Sequence, residues 1–469
     1  MRGLELNRLE PGRSKRSMKL RWVVAGLVGL PILVVLITLW TNRPPVPIVW
    51  RNVVHGTLGR ELALGQDGTI YQKGFDSLRA YDRAGRLRWA SPEDIRVDSA
   101  PVIGRDGTIY VREGTTRLTN GTLTTNTGLL ALRADGSLKW RFPVKGMQAT
   151  PHDTALALDE RNTVYFTVGK DFDSPKTLFA VGADGQELWH FDSAAFHIAP
   201  IEIADDGLVL LMCTSGSPGR TKGWLDRFNA AGQSLGSQPQ SAFDYPSSFS
   251  CDWDGIIYFP GTGGITMVAV NPNGSERWRF RSPFRAFSAP TIGTDGSLFF
   301  TAGCPGTHQA FLVALSKDGK QKWQLPLGPH WSMDSPAVAS DGTLFVVSSD
   351  PKVTAVNKDG TLRWVFRPPR RFPWRWRLPW GRTPANWKDF KKVLSQNFGD
   401  GMNVFATPPA LTPDGMLYLG FDDPYNTLYA LNVGVGLATN SPWPTPGGDV
   451  RLTRRVAHRP PAGTVERTP

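Results

Sequence analysis

The sequence has few of the residues and motifs on which most enzymes depend. Its 469 residues include only three cysteines, Cys213, Cys251 and Cys304, and no CxxC pair. An odd number of scattered cysteines does not make a disulfide framework, so we expect buried thiols, with a single bridge as the open alternative. GxSxG, HExxH, Walker-type and GxGxxG motifs are absent. No catalytic residue is therefore predicted, and the common signatures of hydrolases, zinc proteases and nucleotide-binding enzymes are missing.

Metal ligands at suitable spacing are also scarce. The seven histidines are scattered along the chain without the short repeats of a metal site. One acidic loop, Asp171 to Pro175, lacks the glycine and the distal glutamate of a calcium-binding EF-hand loop. We therefore expect no metal site.

The formal net charge is +12, but this charge is concentrated in three segments. Residues 1–21, 367–400 and 450–469 carry +5, +7 and +4, which leaves −4 for the remainder of the chain. A nucleic-acid-binding groove needs basic residues on the folded body itself. The distribution therefore predicts no nucleic-acid partner.

A four-strand unit, in contrast, occurs eight times. In the copy from Ser335 to Trp364, short apolar strands alternate with Asp341-Gly342 and Asp359-Gly360. Asp-Gly between apolar runs predicts a tight hairpin turn, because glycine adopts positive φ without steric cost. The first turn recurs every 39 to 73 residues, mostly in the forties. This period, with four strands per unit, predicts an all-β, eight-bladed β-propeller with four-stranded blades.

The second turn of the unit is followed by a tryptophan and preceded by an alanine, both at fixed spacing. A ring at the same place in many blades indicates packing between sheets, with the small alanine facing the large ring. Gly236 breaks the series in the fourth unit. The eighth unit lacks its tryptophan strand, and Ile48 to Val53 is predicted to supply it and close the ring. The structural tryptophans are Trp50, Trp89, Trp140, Trp189, Trp278, Trp323 and Trp364.

The repeat resembles that of the pyrroloquinoline-quinone-like (PQQ-like) propeller family. The likeness lies in the alanine, glycine turn and tryptophan of TAVNKDGTLRW (354–364) and FLVALSKDGKQKW (311–323), and it covers residues 48–432. This resemblance implies the propeller fold. It also implies either a binding subunit, as in the periplasmic part of the outer-membrane protein assembly machinery, or a quinoprotein dehydrogenase. The vicinal cysteines of many such dehydrogenases are absent, so no cofactor is expected, and PQQ with calcium belongs only to the alternative.

The N-terminal segment predicts a membrane anchor. A basic cytoplasmic tail, residues 1–21, precedes nineteen uncharged residues from Trp22 to Trp40, which as a helix would span about 28 Å, close to a hydrocarbon core of about 30 Å. A cleaved signal peptide is the competing interpretation, but a small-residue cleavage site is missing. The basic flank places the propeller, residues 44–446, outside the cytoplasm, at the periplasmic or outer side of the inner membrane.

One insertion, residues 367–400, interrupts the repeat between the seventh and eighth units and alternates arginine with tryptophan. Such a composition suits binding to an anionic membrane surface or to an acidic partner. The alternative is a long loop that folds back on the propeller and has only a structural role. The segment from Ser441 to Asp449 resembles a Trp-Pro stretch found near propeller ends, and residues 447–469 are predicted to be a disordered tail. The candidate contact residues are Arg370, Arg371, Trp374, Arg375, Trp376, Arg377, Trp380, Trp387 and Phe390.

Together these observations predict a membrane-anchored, non-enzymatic propeller that binds an unidentified protein or envelope ligand, with a role in envelope protein assembly or scaffolding. A quinone-dependent dehydrogenase and a small-ligand sensor are the alternatives. Loops on a rigid scaffold carry function more often than the scaffold itself, so the insertion is the first candidate for the contact.

Overall fold

The computed structural model describes residues 46–457 and 459, and everything below belongs to the unit that begins at Val46. Within these bounds the description leaves out residues 55–61, 75–76, 93–94, 96, 115, 118–122, 125–126, 146–155, 171–173, 199, 216–221, 241–247, 262–265, 287, 304–308, 329–334, 349–350, 369–405, 422–425, 450 and 458.

The described residues form eight antiparallel four-stranded sheets, the blades of a propeller. We letter the strands A to D from the axis outwards. The A strands of neighbouring blades contact each other, which places them around the axis. The strands of blades 1 to 4 are Leu62–Leu64, Ile70–Lys73, Leu78–Tyr81 and Leu87–Ala90; Val102–Ile103, Ile109–Glu113, Thr127–Leu132 and Leu138–Val144; Ala157–Leu158, Val164–Gly169, Lys176–Val181 and Glu187–Asp192; Glu202–Ile203, Val209–Ser215, Lys222–Phe228 and Ser234–Gln240.

The second half of the ring has the same order, and its last D strand comes from the start of the chain. Four short strands stand outside this scheme, namely a hairpin in blade 2 (Thr116–Arg117 and Leu123–Thr124) and extra partners of strand B in blades 4 (His197–Ile198) and 6 (Arg285–Ala286). The strands of blades 5 to 8 are Ser250–Cys251, Ile257–Pro260, Thr266–Val270 and Glu276–Arg281; Thr291–Ile292, Leu298–Gly303, Ala310–Leu315 and Gln321–Gly328; Ala337–Val338, Leu344–Ser348, Lys352–Val356 and Leu362–Phe366; Ala410–Leu411, Met416–Phe421, Thr427–Asn432 and Ile48–Val53.

Burial along the strands explains why the sheets stack around the axis. Strands B and C are buried along most of their length, as in Val164–Gly169 and Lys176–Val181 of blade 3, except for strand C of blade 4. Strand D instead alternates between exposed and half-buried residues, as in Glu187–Asp192. A strand buried on both faces must be covered by a sheet on each side, whereas an alternating strand has one face in solvent. The B and C strands therefore form the core between blades, and the D strands form the rim.

The connections divide between two faces of the ring. The A–B and C–D turns lie at one end of the blades, which we call the turn face. The B–C and D–A connections lie at the opposite end, the loop face. The glycines of the turns adopt the left-handed conformation that the sequence predicts, for example Gly107 with φ 78° and Gly136 with φ 85° in blade 2.

Each regular blade contains a row of three side chains across strands B, C and D. In blade 1 the row is Tyr71, Ala80 and Trp89, which are direct partners in the sheet register. The small alanine lets the two rings meet above it, with centroids 6.0 Å apart. The predicted pairing of alanine with tryptophan is confirmed in seven blades, where the ring centroids lie 5.7 to 6.0 Å apart: Tyr71–Trp89, Tyr110–Trp140, Tyr165–Trp189, Tyr258–Trp278, Phe299–Trp323, Phe345–Trp364 and Tyr418–Trp50.

The tryptophan of one blade also docks on the next blade. The Trp89 ring covers Gly136 in the C–D turn of blade 2, and a Cβ added to that glycine would lie 2.7 Å from the ring. The indole Nε1–H donates to the carbonyl oxygen two residues before the glycine. Six such hydrogen bonds, 2.7 to 3.1 Å long, join Trp50 to Arg83, Trp89 to Ala134, Trp140 to Ala183, Trp189 to Ala230, Trp278 to Lys317, and Trp323 to Lys358.

The N-terminal strand closes the ring, as predicted. Ile48–Val53 pairs antiparallel with Thr427–Asn432, and Trp50 lies opposite Ala430. The same Trp50 docks on Gly85 of blade 1. One strand therefore completes blade 8 and joins the two ends of the sequence, and this leaves blade 8 without an open outer edge at strand C.

The C-terminal segment corrects the prediction of a disordered tail from residue 447. Residues 436–457 cross the turn face, and Trp443 and Val456 are 2% and 0% exposed. Backbone N–H groups at the ends of A strands in blades 2, 3, 4, 6 and 7 donate to carbonyl oxygens of this segment. The bonds are Ile103 to Arg451, Leu158 to Thr453, Ile203 to Arg454, Ile292 to Trp443, and Val338 to Pro444. The polar composition of this segment suggested disorder. The segment is ordered because buried N–H groups of the inner strands need acceptors, and its carbonyl oxygens supply them.

Two glycines of blade 2 separate the effect of docking from that of backbone strain. Gly107→Ala and Gly136→Ala both force alanine into positive φ, which costs about 1–2 kcal/mol. Only at Gly136 does the added methyl meet the Trp89 ring, since nothing lies within 4 Å of the Gly107 position. We expect Gly136→Ala to lose a further 1–3 kcal/mol or so through overpacking. Denaturant unfolding of both variants measures the difference, and equal losses would contradict indole docking.

Candidate functional site

The insertion predicted as the contact lies in a D–A connection, on the loop face. It follows strand Leu362–Phe366 of blade 7 and precedes Ala410–Leu411 of blade 8. The nine candidate contact residues, Arg370 to Phe390, lie within 369–405, outside the described residues. Their flanks are described up to Pro368 and again from Ala406, which forms a bridge with Phe421. The structure therefore fixes the face from which the insertion leaves the propeller.

Blade 4 is where the described core departs from the repeat. At the places of tyrosine, alanine and tryptophan it has Leu210, Arg227 and Gly236. Two large rings are thus replaced by a leucine and a glycine. The space between blades 4 and 5 consequently lacks the aromatic filling present at six other junctions.

Arg227 makes the hydrogen bond that an indole makes elsewhere. Its Nη1–H donates to the carbonyl oxygen of Pro272 at 2.7 Å, two residues before Gly274 in the C–D turn of blade 5. Its Nη2–H donates to the carbonyl oxygen of Leu235 at 3.2 Å. Gln238 takes the place of the ring against Gly274, where an added Cβ would lie 2.5 Å from the Gln238 Cβ. The junction is held by flexible polar side chains instead of a flat ring.

The missing rings leave a cavity of about 280 Å³ between the two blades at the turn face. Its walls are apolar, and carboxylates lie at its mouth. Trp253 is half-buried, while Asp206 and Asp254 are exposed. The lining residues are Ala204, Asp205, Asp206, Leu208, Leu210, Arg227, Trp253, Asp254, Gly255, Ile257 and Pro272.

The mouth of the cavity already holds one cation from the chain itself. The Arg459 guanidinium lies 5.9 Å from the centroid of the Trp253 ring and pairs with the Asp254 carboxylate. Lys317 donates to the same carboxylate at 2.5 Å. Hydrogen bonds from Lys317 and then Arg459 hold the pKa of Asp254 below its usual range. The mouth therefore presents the ionised Asp254 carboxylate beside an indole face, a combination that attracts organic cations.

The buried Asp252 carboxylate stabilises the turn that carries Trp253. Asp252 accepts a hydrogen bond from the Tyr258 hydroxyl at 3.0 Å and pairs with Lys317 at 3.1 Å. Burial, and then the Asp252 charge, raise the pKa of Tyr258. Tyr258 therefore stays protonated and donates at neutral pH, and this fixes the A–B turn that carries Trp253 and Asp254.

The cysteines of this region offer no reactive thiolate. Cys213 and Cys251 are free and 0% exposed. Burial raises the pKa of both thiols, so they stay protonated at neutral pH. Cys304 lies outside the described residues. The prediction of buried thiols thus holds for these two residues.

Two properties of the described residues concern metal binding and membrane spanning. Across the described part of the chain, no three His, Cys, Asp or Glu side chains converge so that they could hold a metal ion. The described residues also contain no helix long and apolar enough to span a bilayer. The predicted anchor, residues 22–40, lies outside them.

The fold and the repeated Tyr-Ala-Trp row define a PQQ-like β-propeller. A family model described as outer membrane protein assembly factor BamB matches residues 39–197 and 262–371, more than half of the sequence, and the chain belongs to this family. The match is interrupted across 198–261, which contains all the strands of blade 4. A search of curated proteins finds no significant match.

Solved structures share the fold at low sequence identity. BamB from Moraxella catarrhalis has a TM-score of 0.55 and 11% identity, over 82% of this chain and 99% of that one. The C-terminal WD40 domain of Sif2 has a TM-score of 0.55 and 10% identity, over 83% and 98%. The Dos1 propeller has a TM-score of 0.51 and 10% identity, over 83% and 95%. These likenesses confirm the propeller architecture.

Sequence reasoning identified Gly236 as a break in the tryptophan series but did not recognise a site there. The available signal was the coincidence of three changes in one unit, because Leu210 and Arg227 also replace conserved types within the repeat. This unit has lost both aromatic rings and carries a charged residue at the alanine position. The volume of the two rings must then be filled by other side chains or remain as a cavity.

Restoring one ring tests the cavity. Leu210→Tyr introduces the residue found at this place in five other blades, so it should fill the cavity and leave the stability unchanged or raise it by about 0.5–2 kcal/mol. The adjacent Leu211→Tyr is the matched control, since Leu211 is 0% exposed and packs in the core of the other face. That change should cost about 1–3 kcal/mol through overpacking. Thermal unfolding of both variants measures these changes in stability. A large loss of stability in the Leu210→Tyr variant would mean that the cavity is closed.

Proposed function

We propose that this propeller is a membrane-anchored, extracytoplasmic and non-enzymatic module that binds a partner protein through the insertion between blades 7 and 8. The observation that carries the proposal is the position of the insertion. The arginine- and tryptophan-rich residues 369–405 leave from the loop face, whereas the C-terminal segment covers the axis at the turn face. The loop face is thus the side that the chain's own C-terminal segment leaves uncovered.

The N-terminal strand favours a protein partner over a membrane surface for the insertion. Ile48 begins strand D of blade 8 at the turn face, since it pairs with Leu431 at the end of strand C, where the C–D turns of the other blades lie. The described chain therefore enters the propeller at the turn face, whereas the insertion leaves from the loop face. An insertion on the face opposite this entry point, rich in arginine and tryptophan, supports an acidic protein surface as its target.

Family membership supports the same class of role. The family is described as an outer membrane protein assembly factor. We extend to this chain a role in envelope protein assembly or scaffolding, with the propeller as a rigid frame and the insertion as the contact. A long connection on a rigid frame can vary in sequence without destabilising the blades. Quinone chemistry is not part of the proposal, and the dehydrogenase and sensor alternatives stay predictions.

Site-specific cross-linking tests the contact in the full chain within its native membrane. A photo-reactive phenylalanine analogue replaces Trp376 in the insertion, Lys145 in another connection of the loop face, or Lys320 on the turn face. We expect a discrete protein adduct from position 376 only, because the two control positions lie outside the insertion. The adduct should weaken when Arg370, Arg371, Arg375 and Arg377 are changed to Gln, since charge complementarity speeds association.

Two outcomes would contradict this proposal. One is the absence of any protein adduct at position 376 while lipid adducts form there, which would place the insertion at the membrane. The other is an equal yield of the same adduct from all three positions, which would show no preference for the insertion.

A further inference from the structure

We propose that the cavity between blades 4 and 5 is a recognition site for a guanidinium-type cation carried on a flat or apolar body, as an arginine side chain of a partner peptide presents it. The site lies on the turn face, whereas the insertion leaves from the loop face. The inference therefore does not depend on the proposed function of the insertion, and either can fail alone.

The cavity originates from the missing rings of blade 4. Six junctions in the ring are filled by an indole that covers a turn glycine. At the junction of blades 4 and 5 the row is Leu210, Arg227 and Gly236, and about 280 Å³ stays open. Nothing in the packing of the ring requires this opening, because the other blades show how the same space is closed. The family match also lapses across this blade.

The opening combines apolar walls with acidic side chains. Leu208, Leu210, Ile257 and Pro272 supply apolar walls, and Trp253 supplies an aromatic face. Ligand sites are typically apolar cavities with a few polar groups that orient the ligand. Here the polar groups at the mouth include Asp205, Asp206 and Asp254, three carboxylates at one opening. A ligand whose apolar part contacts these walls and whose outer end carries a positive charge fits this arrangement.

The protein itself places a cation at the mouth of the cavity. Arg459, near the end of the chain, stacks over Trp253 and pairs with Asp254. The Trp253 indole in turn donates to the carbonyl oxygen of Ala457 at 2.6 Å, which holds this part of the chain at the mouth. The guanidinium of Arg459 thus occupies the outer part of the site. An incoming arginine would compete with it for the indole face and the carboxylate.

Backbone carbonyl oxygens hold the Arg227 guanidinium in the lining of the cavity. Both of its terminal nitrogens donate, one to Pro272 and one to Leu235. Asp206 also lines the cavity, is exposed, and accepts a hydrogen bond from the backbone N–H of Leu208. Its carboxylate is an exposed acceptor for a ligand cation.

Binding of para-fluorobenzamidine to the purified full chain, followed by fluorine NMR, tests the proposal. This probe combines a flat apolar ring with an amidinium, and para-fluorobenzamide is its neutral counterpart. We expect the amidine to bind and the amide to bind at least about tenfold more weakly, because the amide cannot pair with the carboxylates. Equal binding of the two probes would overturn the inference.

Three variants locate the binding. Asp206→Asn should weaken it about three- to fivefold, the range of one exposed charge pair, whereas Asp106→Asn, at the same repeat position in blade 2, should leave it unchanged. Leu210→Tyr should abolish binding by filling the cavity. Arg459→Ala should strengthen binding about threefold, since it removes the internal competitor.

Each opposite result would overturn the site. Binding retained in a Leu210→Tyr variant with native unfolding behaviour would place the probe elsewhere, as would equal effects of the two Asn substitutions. Weaker binding in Arg459→Ala would show that Arg459 is part of the ligand pocket and not a competitor. No binding to either the native chain or the Arg459→Ala variant would show that the cavity takes no such cation.

Discussion

The docking of an indole on a turn glycine is the interaction on which the ring depends. Each blade is a twisted sheet that could slide against its neighbour, because apolar packing alone is not directional. The indole adds direction, since its ring needs a bare glycine beneath it and its N–H needs the carbonyl oxygen two residues earlier. A side chain on that glycine would collide with the ring. Six repetitions of this contact fix the rotation between blades, and Trp50 applies it across the closure of the ring.

A repeated contact of this kind also gives meaning to its exceptions. At the junction of blades 4 and 5 the two aromatic rings of the row are missing. Arg227 makes the hydrogen bond that an indole makes elsewhere, and Gln238 packs against the turn glycine in place of the indole ring. The ring keeps its geometry there through polar side chains, and a cavity with acidic rim residues results. Function on a regular scaffold is expected where local structure departs from the rule that stabilises the rest. In this chain the departures include the blade 4–5 junction, whose cavity lies at the turn face, and the insertion, which leaves from the loop face.

The sequence was sufficient for the architecture, because the signals that specify it are local and repeated. Asp-Gly turns, the Ala-to-Trp spacing and the strand from Ile48 to Val53 predicted blades, docking residues and ring closure. The packing of residues 447–457 could not be predicted, because it depends on inner-strand N–H groups from three blades that are distant in sequence. The cavity was missed for a related reason. Gly236 alone indicates only a missing ring, and the space becomes visible when Leu210, Arg227 and Trp253 of two neighbouring blades are brought together.

Hydrogen exchange of the native full chain, measured by mass spectrometry on turn peptides, tests the central claim most directly. If docked indoles hold the blades together, the C–D turn of blade 5, which includes Gly274 and lacks an indole, should exchange faster than the six turns that an indole covers. Local opening free energies are read from such differences in protection. The account predicts that the turn of blade 5 is the least protected of these seven. Protection equal to that of the six docked turns would contradict it, because polar contacts would then serve as well as the indole.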